Sequence, residues 1–265
     1  MPEQNKDINN GQQSTNPNQK KPLIYAIIGS SEFNQKHFLG CYKNKMFTRI
    51  IAVDGGYKHL EELGITPNIA VGDFDSLGYI PYSDNVPSCI ENNFEMAKSE
   101  ADKMMQVMQY PQDKDKTDFE LAIDEAIAHK PNFLMCYGFL GKRLDHQIGA
   151  FQMMSHTSDH RVGIFCVGLE QTAMMLDGPA EFGLRVNPDP KIDRTVSVFS
   201  YSDVCGGIDS QGLKWPFINT PLSNSMSLGV SNVIEGPEFK IRVKHGKLLV
   251  VFATDLLFLN TNEQN

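Results

Sequence analysis

Short apolar runs, each closed by glycine or aspartate, recur along the first two thirds of the chain. The runs lie at 23–28, 49–53, 69–71, 133–137 and 162–167. Continuous runs of this length are typical of strands buried in a parallel sheet. Helical patterns alternate with them, for example at 57–63 before Gly64. The sequence therefore predicts βαβ units, with helices on both faces of a parallel sheet.

Beyond Glu170 the hydrophobic pattern changes to a period of two. Apolar and polar residues alternate at 195–201 and 239–244, and Gly246 separates the latter run from the apolar run at 248–252. Alternation of this kind is typical of antiparallel strands with one buried face. The fold class we predict is an α/β N-terminal domain with a parallel sheet, followed by an all-β sandwich.

The chain has 265 residues, enough for about two domains at roughly 150 residues each. We expect a disordered tail over 1–21, an α/β domain over 22–170 and a β-sandwich over 171–265. The tail is rich in Asn and Gln and has only Met1 and Ile8 as apolar residues. Such a segment cannot bury enough surface to become ordered.

The segment 78–106 fits neither pattern and receives no function. The spacing of Met96, Met104, Met105 and Met108 suggests a helix over 95–108.

The charge balance limits the class of partner. The chain carries 24 Lys and Arg against 32 Asp and Glu, a net charge of −8. General attraction to nucleic acid or to an anionic membrane is therefore not expected. No apolar run approaches the ~18 residues of a membrane span, and we expect a soluble, cytoplasmic protein. The five cysteines are scattered without a C-x-x-C pair, which favours reduced core residues over disulfides or a zinc site.

Acidic residues follow two of the predicted strands. Asp54 ends the second apolar run, and Asp73 and Asp75 follow the third. Residues two apart in an extended segment point to the same side, where two carboxylates would repel each other. A divalent cation between them would remove that repulsion. The alternative is a pair of turn-forming aspartates beside Gly72.

A helix is predicted to begin at the sequence TDFE. Thr117 suits the N-cap, Glu120 completes a capping box, and the apolar spacing marks a buried face. Asp118 is not needed for this cap. It either stabilises the helix through a favourable interaction with the helix dipole, or it serves as a further carboxylate that binds a metal ion or the substrate.

A glycine-rich segment over 138–146 follows the fourth apolar run. Its glycines expose backbone amides, and Lys142 and Arg143 supply cations, so the segment could hold phosphate. The alternative is a tight turn with a solvated basic pair. The pair His156 and His160 has the spacing of zinc ligands but no third ligand, which favours a solvated loop.

Six motifs together resemble one family. They are DGG at 54–56, GDFDS at 72–76, KDKTD at 114–118, GKRLDH at 141–146, GLKWP at 212–216 and SN at 231–232. Each is weak alone, but in this order they are similar to the thiamine pyrophosphokinase family over nearly the whole chain after the tail. Some members carry Gln where this chain has Lys114. The only tryptophan, Trp215, falls in the second-domain motif; its alternative is a core aromatic of the sandwich.

The resemblance implies transfer of a diphosphate group from ATP to thiamine, giving thiamine diphosphate and AMP. It implies catalytic roles for Asp54, Asp73, Asp75, Asp118 and Arg143, with Mg²⁺ held by Asp73, Asp75 and Asp118. Contacts to ATP are implied for Lys114, Thr117, Gly141, Lys142, Arg143, Asp145 and His146. Contacts to thiamine, at the interface of a homodimer, are implied for Trp215, Ser231 and Asn232.

Two other functions remain open at this point. One is a phosphatase with Asp73 as nucleophile and Asp75 as acid, although Leu77 stands where that class has a small or hydroxyl residue. The other is a non-catalytic protein that binds thiamine or a nucleotide. Four carboxylates exceed what binding alone commonly needs.

Overall fold

The computed structural model describes residues 21–81, 105–141, 143–186 and 189–257. The predicted disordered tail (apart from Lys21), Lys142, Cys89 and most of the segment 78–106 lie outside the described residues.

The α/β part alternates strands and helices as predicted. Its strands are β1 (Ile24–Ile28), β2 (Arg49–Val53), β3 (Ile69–Gly72), β4 (Gln106–Gln109), β5 (Phe133–Tyr137) and β6 (Gly163–Val167). Its helices are α1 (Gln35–Lys43), α2 (Tyr57–Glu61), α3 (Asp118–Ala128) and α4 (Leu144–Asp159), and a 3₁₀ turn over Asp54–Gly56 precedes α2. All six strands are parallel, in the order β6-β5-β1-β2-β3-β4.

In residues 171–186 and 189–257 the regular elements are all strands, apart from a 3₁₀ turn over Thr254–Leu257. These strands are β7 (Gln171–Asp177), β8 (Ala180–Arg185), β9 (Thr195–Ser200), β10 (Val204–Gln211), β11 (Thr220–Ser223), β12 (Asn232–Val233), β13 (Glu238–Val243) and β14 (Lys247–Ala253). The order β11-β10-β13-β8 forms a separate antiparallel sheet of four strands. The predicted fold class is therefore confirmed.

The large sheet continues beyond the parallel strands. Strand β7 pairs antiparallel with β6, and β14, β9 and β12 follow, so that the sheet has ten strands. One half of the sandwich is thus an extension of the parallel sheet, a connection that the hydrophobic pattern did not predict. The boundary that we place at 170/171 lies just before β7.

Two hydrophobic clusters cover the two faces of the large sheet. Helices α3 and α4 pack on one face through residues such as Ile123 and Met154. The other face packs against α1 and α2, and its cluster runs without a break into the sandwich through Val250 and Phe239. Burial of both faces explains why the strands read as continuous apolar runs.

Two local predictions are corrected. Residues 106–108, expected at the end of a helix over 95–108, belong to strand β4 (Gln106–Gln109) beside β3; residues 95–104 of the expected helix lie outside the described residues. Helix α2 ends at Glu61, before the expected Leu63, and the chain turns at Gly64 with a φ of 65°. The N-cap is confirmed, because the Thr117 hydroxyl accepts a hydrogen bond from the Glu120 amide at 3.1 Å.

The cysteines were predicted to be reduced residues of the core. Four of them lie in the described part of the chain, and they are free and buried: Cys41, Cys136, Cys166 and Cys205. Among the described residues, no helix is long and apolar enough to cross a membrane.

Strand β1 and the turn after β2 approach each other backbone to backbone. A Cβ atom on Gly56 would lie 2.0 Å from the carbonyl oxygen of Ile28, so that one of the two segments would have to move. The backbone of Gly56 is helical, with a φ of −62°. The requirement for glycine is therefore steric rather than torsional.

We predict that Gly56→Ala lowers the free energy of unfolding by about 1–3 kcal/mol, as overpacking of a close contact does. The matched control is Gly149→Ala in α4, where a Cβ atom would meet no atom within 4 Å. This control gains up to about 1 kcal/mol from helix propensity. Urea denaturation of both variants measures the difference; equal stabilities would contradict the close-contact explanation.

Candidate active site

The acidic and glycine-rich motifs meet at the carboxyl edge of the parallel strands. The chain leaves β1 toward β2 on one side, and β5 lies on the other side of β1. Such a switch point forms a crevice at the carboxyl ends of the strands, where α/β proteins bind ligands.

Three carboxylates gather at this edge. Asp54, Asp73 and Asp75 each offer one oxygen, and these oxygens all lie within 4.8 Å of one another. The buried side chain of Phe74 lies between the latter two in sequence, and its backbone has a positive φ of 60°. Anchoring this residue fixes the turn that carries both aspartates.

Gly72 lets the end of β3 approach Asp54. A Cβ atom on Gly72 would lie 3.1 Å from the Cα and the Cβ of Asp54, and its φ of 155° is a conformation that side chains rarely adopt. Asp54 itself has a φ of 45° at the start of the 3₁₀ turn. The backbone is thus bent on both sides to bring the carboxylates together.

Most of the carboxylate oxygens in this group have partners. Ser76 donates a hydrogen bond to Asp54 Oδ2 at 2.7 Å, and Gln112 donates one to Asp75 Oδ2 at 2.9 Å. The amide of Asp75 donates to Asp73 Oδ1 at 3.2 Å. Asp54 Oδ1, however, is buried and accepts no hydrogen bond from the described residues.

This arrangement fits a hard divalent cation. Burying a carboxylate oxygen without a partner costs free energy, and a bound cation would supply the missing partner. Carboxylate oxygens are the ligands that Mg²⁺ and Ca²⁺ prefer. Among the described residues, this group contains Asp54 beside the predicted ligands Asp73 and Asp75, and the third predicted ligand, Asp118, lies outside it.

Asp118 forms an ion pair with a lysine. The ammonium of Lys114 lies 3.2 Å from Asp118 Oδ1 and 3.2 Å from Asp73 Oδ2, and it donates a hydrogen bond to the carbonyl oxygen of Pro111 at 3.0 Å. All three charged side chains are largely buried, with exposed fractions of 13%, 22% and 15% for Lys114, Asp118 and Asp73.

The pKa values reflect this packing. Burial raises the pKa of Asp118, against the opposing effect of Lys114. Burial alone would also raise the pKa of Asp73, but the Asp75 amide and Lys114 outweigh it, and the net shift is downward. The pKa of Lys114 is raised, because its two carboxylate partners outweigh the effect of burial. The ammonium charge is therefore stabilised in this position.

The glycine-rich loop after β5 lies against the loop after β1. A Cβ atom on Gly138 would be 2.2 Å from the carbonyl oxygen of Gly29, and one on Gly141 would be 2.4 Å from the Ser31 hydroxyl. The amide of Ser31 donates a hydrogen bond to Gly138 at 2.9 Å. No role was predicted for Ser30 or Ser31. Gly29, which closes the first apolar run just before them, is the sequence feature that indicates a loop at this position.

The basic and acidic residues that follow this loop are exposed. Arg143 and Asp145 form an ion pair with each other, and the guanidinium lowers the pKa of Asp145 to about 2. Among the described residues, neither forms an ion pair with the three carboxylates. His146 is also exposed, at the first turn of α4. The described contacts therefore do not connect these three residues to the carboxylate group.

Trp215 lies at the surface of the second part of the chain. Its exposed fraction is 56%, so the alternative of a core aromatic is wrong. The Lys214 ammonium lies 4.8 Å from the centre of its ring. The side chain of Asn232, which is only 4% exposed, accepts a hydrogen bond from the Trp215 amide at 3.2 Å and donates one to its carbonyl at 2.7 Å. Asn232 thus holds the backbone of Trp215, whereas the Ser231 side chain is exposed next to it.

Two family profiles match the chain. Residues 43–166 match the thiamin pyrophosphokinase catalytic domain, and residues 182–248 match the thiamin pyrophosphokinase vitamin B1 binding domain. The thiamine pyrophosphokinase of Bacillus subtilis is 25% identical over 206 residues, which is 77% of this chain and 87% of that protein.

Solved structures agree on the fold. The crystal structure of the Bacillus subtilis thiamine pyrophosphokinase has a TM-score of 0.68 at 22% identity, covering 88% of this chain and 100% of that one. Thiamin pyrophosphokinase from Candida albicans has a TM-score of 0.65 at 16% identity, covering 88% and 89%. Both domain profiles match in the expected order and together cover more than half of the residues, and the chain therefore belongs to the thiamin pyrophosphokinase family.

Proposed function

We propose that the protein transfers a diphosphate group from ATP to thiamine and releases thiamine diphosphate and AMP. The observation that carries this proposal is the group of three carboxylates, with its unpartnered buried oxygen, beside the glycine-rich loops. The match to both family domains supports the same reaction. The phosphatase and the non-catalytic alternatives do not account for the B1-binding domain together with this carboxylate group.

Asp54, Asp73 and Asp75 are the side chains that would hold Mg²⁺. When bound, the ion would neutralise charge on the polyphosphate of ATP and on the transferred group. An acidic protein needs such local compensation, because its net charge of −8 repels a polyanion.

The loops after β1 and β5 supply the surface for the phosphates. Backbone amides in glycine-rich turns and at helix N-termini bind phosphate oxygens. We assign contacts to ATP to the loop end at Gly141 and to the residues that follow it, namely Lys142, Arg143, Asp145 and His146. The N-terminus of α3, with Thr117 at its cap and Lys114 before it, lies on the carboxylate side of the crevice.

The reaction is a substitution at phosphorus. The hydroxyethyl oxygen of thiamine attacks the β-phosphorus of ATP, the bond from that phosphorus to the oxygen bridging the α-phosphate breaks, and AMP leaves. The proton of the hydroxyl group passes to one of the carboxylates at this edge. Positioning and charge neutralisation supply most of the catalysis in such reactions. Arg143, an exposed cation just after the loop, is the residue that we assign to charge neutralisation.

Trp215 provides an exposed flat surface for the thiamine rings. Aromatic faces attract cations, and the thiazolium ring of thiamine is cationic. Several apolar side chains are exposed in the same part of the chain, namely Ile218, Met226, Leu228 and Val230. Such a surface favours a second copy of the chain as partner. We therefore propose a homodimer with the thiamine site at its interface and Ser231 and Asn232 beside the substrate. The buried free cysteines support a location in the reducing cytoplasm, which we propose as well.

The direct test is incubation of the purified protein with thiamine, ATP and Mg²⁺. We expect AMP and thiamine diphosphate in equal amounts, measured by chromatography, because the β-phosphorus is attacked. Formation of ADP would contradict diphosphate transfer. Release of free phosphate from p-nitrophenyl phosphate, with no thiamine product, would favour the phosphatase alternative.

Asp73→Asn and Asp75→Asn should each abolish turnover without unfolding the protein. Each substitution removes a charge from the cation site, while the fold depends on apolar packing elsewhere. The measurements are AMP formation and the thermal unfolding midpoint. Glu62→Gln, at an exposed carboxylate after α2, is the control and should keep wild-type activity. Normal activity of either aspartate variant at low Mg²⁺ would contradict the assignment.

Trp215→Ala should raise the KM for thiamine and leave the KM for ATP nearly unchanged. Loss of an aromatic surface for a cation costs roughly 0.5–2 kcal/mol, about two- to thirtyfold in binding. The unfolding midpoint should hardly change, because Trp215 is exposed. The matched variant Phe217→Ala removes an aromatic ring that is only 6% exposed and should cost about 3–5 kcal/mol of stability. A well-folded Trp215→Ala variant with unchanged KM for thiamine would remove this residue from the site.

A further inference from the structure

The loop after β1, residues 29–34, lies between two parts of the proposed site. On one side it contacts the glycine-rich loop after β5, where a Cβ atom on Gly141 would lie 2.4 Å from the Ser31 hydroxyl oxygen. On the other side it contacts the turn after β2, where a Cβ atom on Gly55 would lie 3.0 Å from the Cβ of Ser30. The position of this loop therefore affects both neighbouring turns.

His59 in helix α2 contacts the loop after β1 in two ways. Its Nε2 atom lies 3.1 Å from the carbonyl oxygen of Ser31. A carbonyl oxygen only accepts hydrogen bonds, so Nε2 carries a hydrogen and donates it. The imidazole ring also stacks on the ring of Phe33, with 4.9 Å between the ring centres and an angle of 16° between the planes. One histidine thus contacts both the backbone and a side chain of the loop.

Both ends of this connection are anchored in the core. The Phe33 ring contacts the rings of Phe38 and Tyr137, with 5.3 Å and 6.0 Å between the ring centres. Leu60, which follows His59 in α2, is fully buried. His59 itself is only half-buried, so its replacement would not open a cavity inside the core. Its role in the structure is therefore to join α2 to the loop.

The hydrogen bond from His59 also fixes the orientation of a backbone amide. In a trans peptide the C=O and the following N–H lie in one plane and point in opposite directions. Holding the Ser31 carbonyl therefore directs the Glu32 amide away from His59. Glu32 lies beside the glycine-rich loop, because a Cβ atom on Gly141 would be 3.2 Å from its Cγ. Backbone amides in such turns are the groups that bind phosphate oxygens.

From these contacts we infer that His59 is a positioning residue for the proposed ATP site. Its hydrogen bond to Ser31 holds the loop after β1 against the glycine-rich loop, and loss of this bond weakens the binding of ATP but not of thiamine. His59 acts through the loop and does not itself contact a substrate. The inference rests on the proposed function, because it concerns the contacts to ATP in that reaction.

The test is the Kd for ATP, measured by isothermal titration calorimetry of the full-length protein with Mg²⁺ and without thiamine, together with the KM values for both substrates. The variant His59→Phe keeps a flat ring against Phe33 but removes the hydrogen-bond donor. We expect its Kd and KM for ATP to rise about three- to tenfold, which is the effect of losing one hydrogen bond. The KM for thiamine should stay within about twofold of the wild-type value, less than that effect.

The variant His59→Gln tests whether the donor is the important group. Its side-chain amide can donate to the Ser31 carbonyl oxygen, and we expect it to restore the wild-type Kd for ATP. The matched control is His129→Phe, because the His129 ring lies 3.0 Å from the Glu125 carbonyl oxygen at the end of α3 and makes no described contact with the loop. This control should keep the wild-type Kd and both KM values.

Thermal unfolding midpoints separate positioning from a role in stability alone. A structural role would lower the midpoints of His59→Phe and His59→Gln alike and leave the Kd of the folded protein unchanged. If His59→Phe does not fold, the polar variant His59→Asn takes its place; its side chain is too short to reach the Ser31 carbonyl oxygen, and it should weaken ATP binding to the same extent.

Three results would overturn the inference while leaving the proposed reaction intact. They are an unchanged Kd for ATP in a folded variant that lacks the donor, an equal loss of affinity for ATP and thiamine, and a failure of His59→Gln to restore ATP binding. No binding of ATP by the wild type would instead contradict the proposed function, and the inference with it.

Discussion

The backbone-to-backbone contacts at the carboxyl edge of the parallel strands are the constraint on which the site depends. The backbone of the turn after β2 lies in close contact with the end of β1 at Gly56. The loop after β5 lies in close contact with the loop after β1 at Gly138. Contact distances near 2 Å from a hypothetical Cβ leave no room for any side chain. Glycine at these positions allows the loops after β1, β2 and β5 to lie close together at one crevice. Residues that are far apart in the sequence can therefore contact the same ligand there.

Compensation of charge is the second requirement of this crevice. Carboxylates held close together repel each other unless cations or hydrogen bonds offset the repulsion. The chain uses three devices: hydroxyl and amide donors from Ser76 and Gln112, the ammonium of Lys114, and an oxygen of Asp54 left available for a metal ion. In the proposed function, a cation bound at these carboxylates would allow an acidic protein to bind a polyphosphate.

The ten-stranded sheet contains strands from both the α/β part and the β-sandwich, and it therefore joins the two parts through backbone hydrogen bonds. Its parallel strands carry the carboxylates, and its antiparallel strands β7, β14, β9 and β12 form one layer of the sandwich. The hydrophobic cluster on one face runs from Phe38 on α1 to Phe239 in the second sheet. Because β12 includes Asn232, the residue that holds the backbone of Trp215, the aromatic surface is built on the same sheet as the acidic edge.

The sequence by itself determined the local features. Apolar runs closed by glycine marked the strands, Thr117 and Glu120 marked the start of α3, and alternation beyond Glu170 marked the antiparallel strands. These signals are local because strand burial and helix capping depend on residues a few positions apart. The order of the motifs was enough to identify the family.

Only the tertiary structure decided which residues share a contact. Asp54 lies beside Asp73 and Asp75 because the ends of β2 and β3 are neighbours in the sheet. Asp118, at the start of α3, forms an ion pair with Lys114. The exposure of Trp215 and the continuation of the sheet through β7 are likewise set by long-range packing. An apolar pattern predicts that a strand is buried, but it does not predict which strand lies beside it. The spacing of two carboxylates indicates that they lie on the same side of a strand, but it does not indicate which group neutralises their charge.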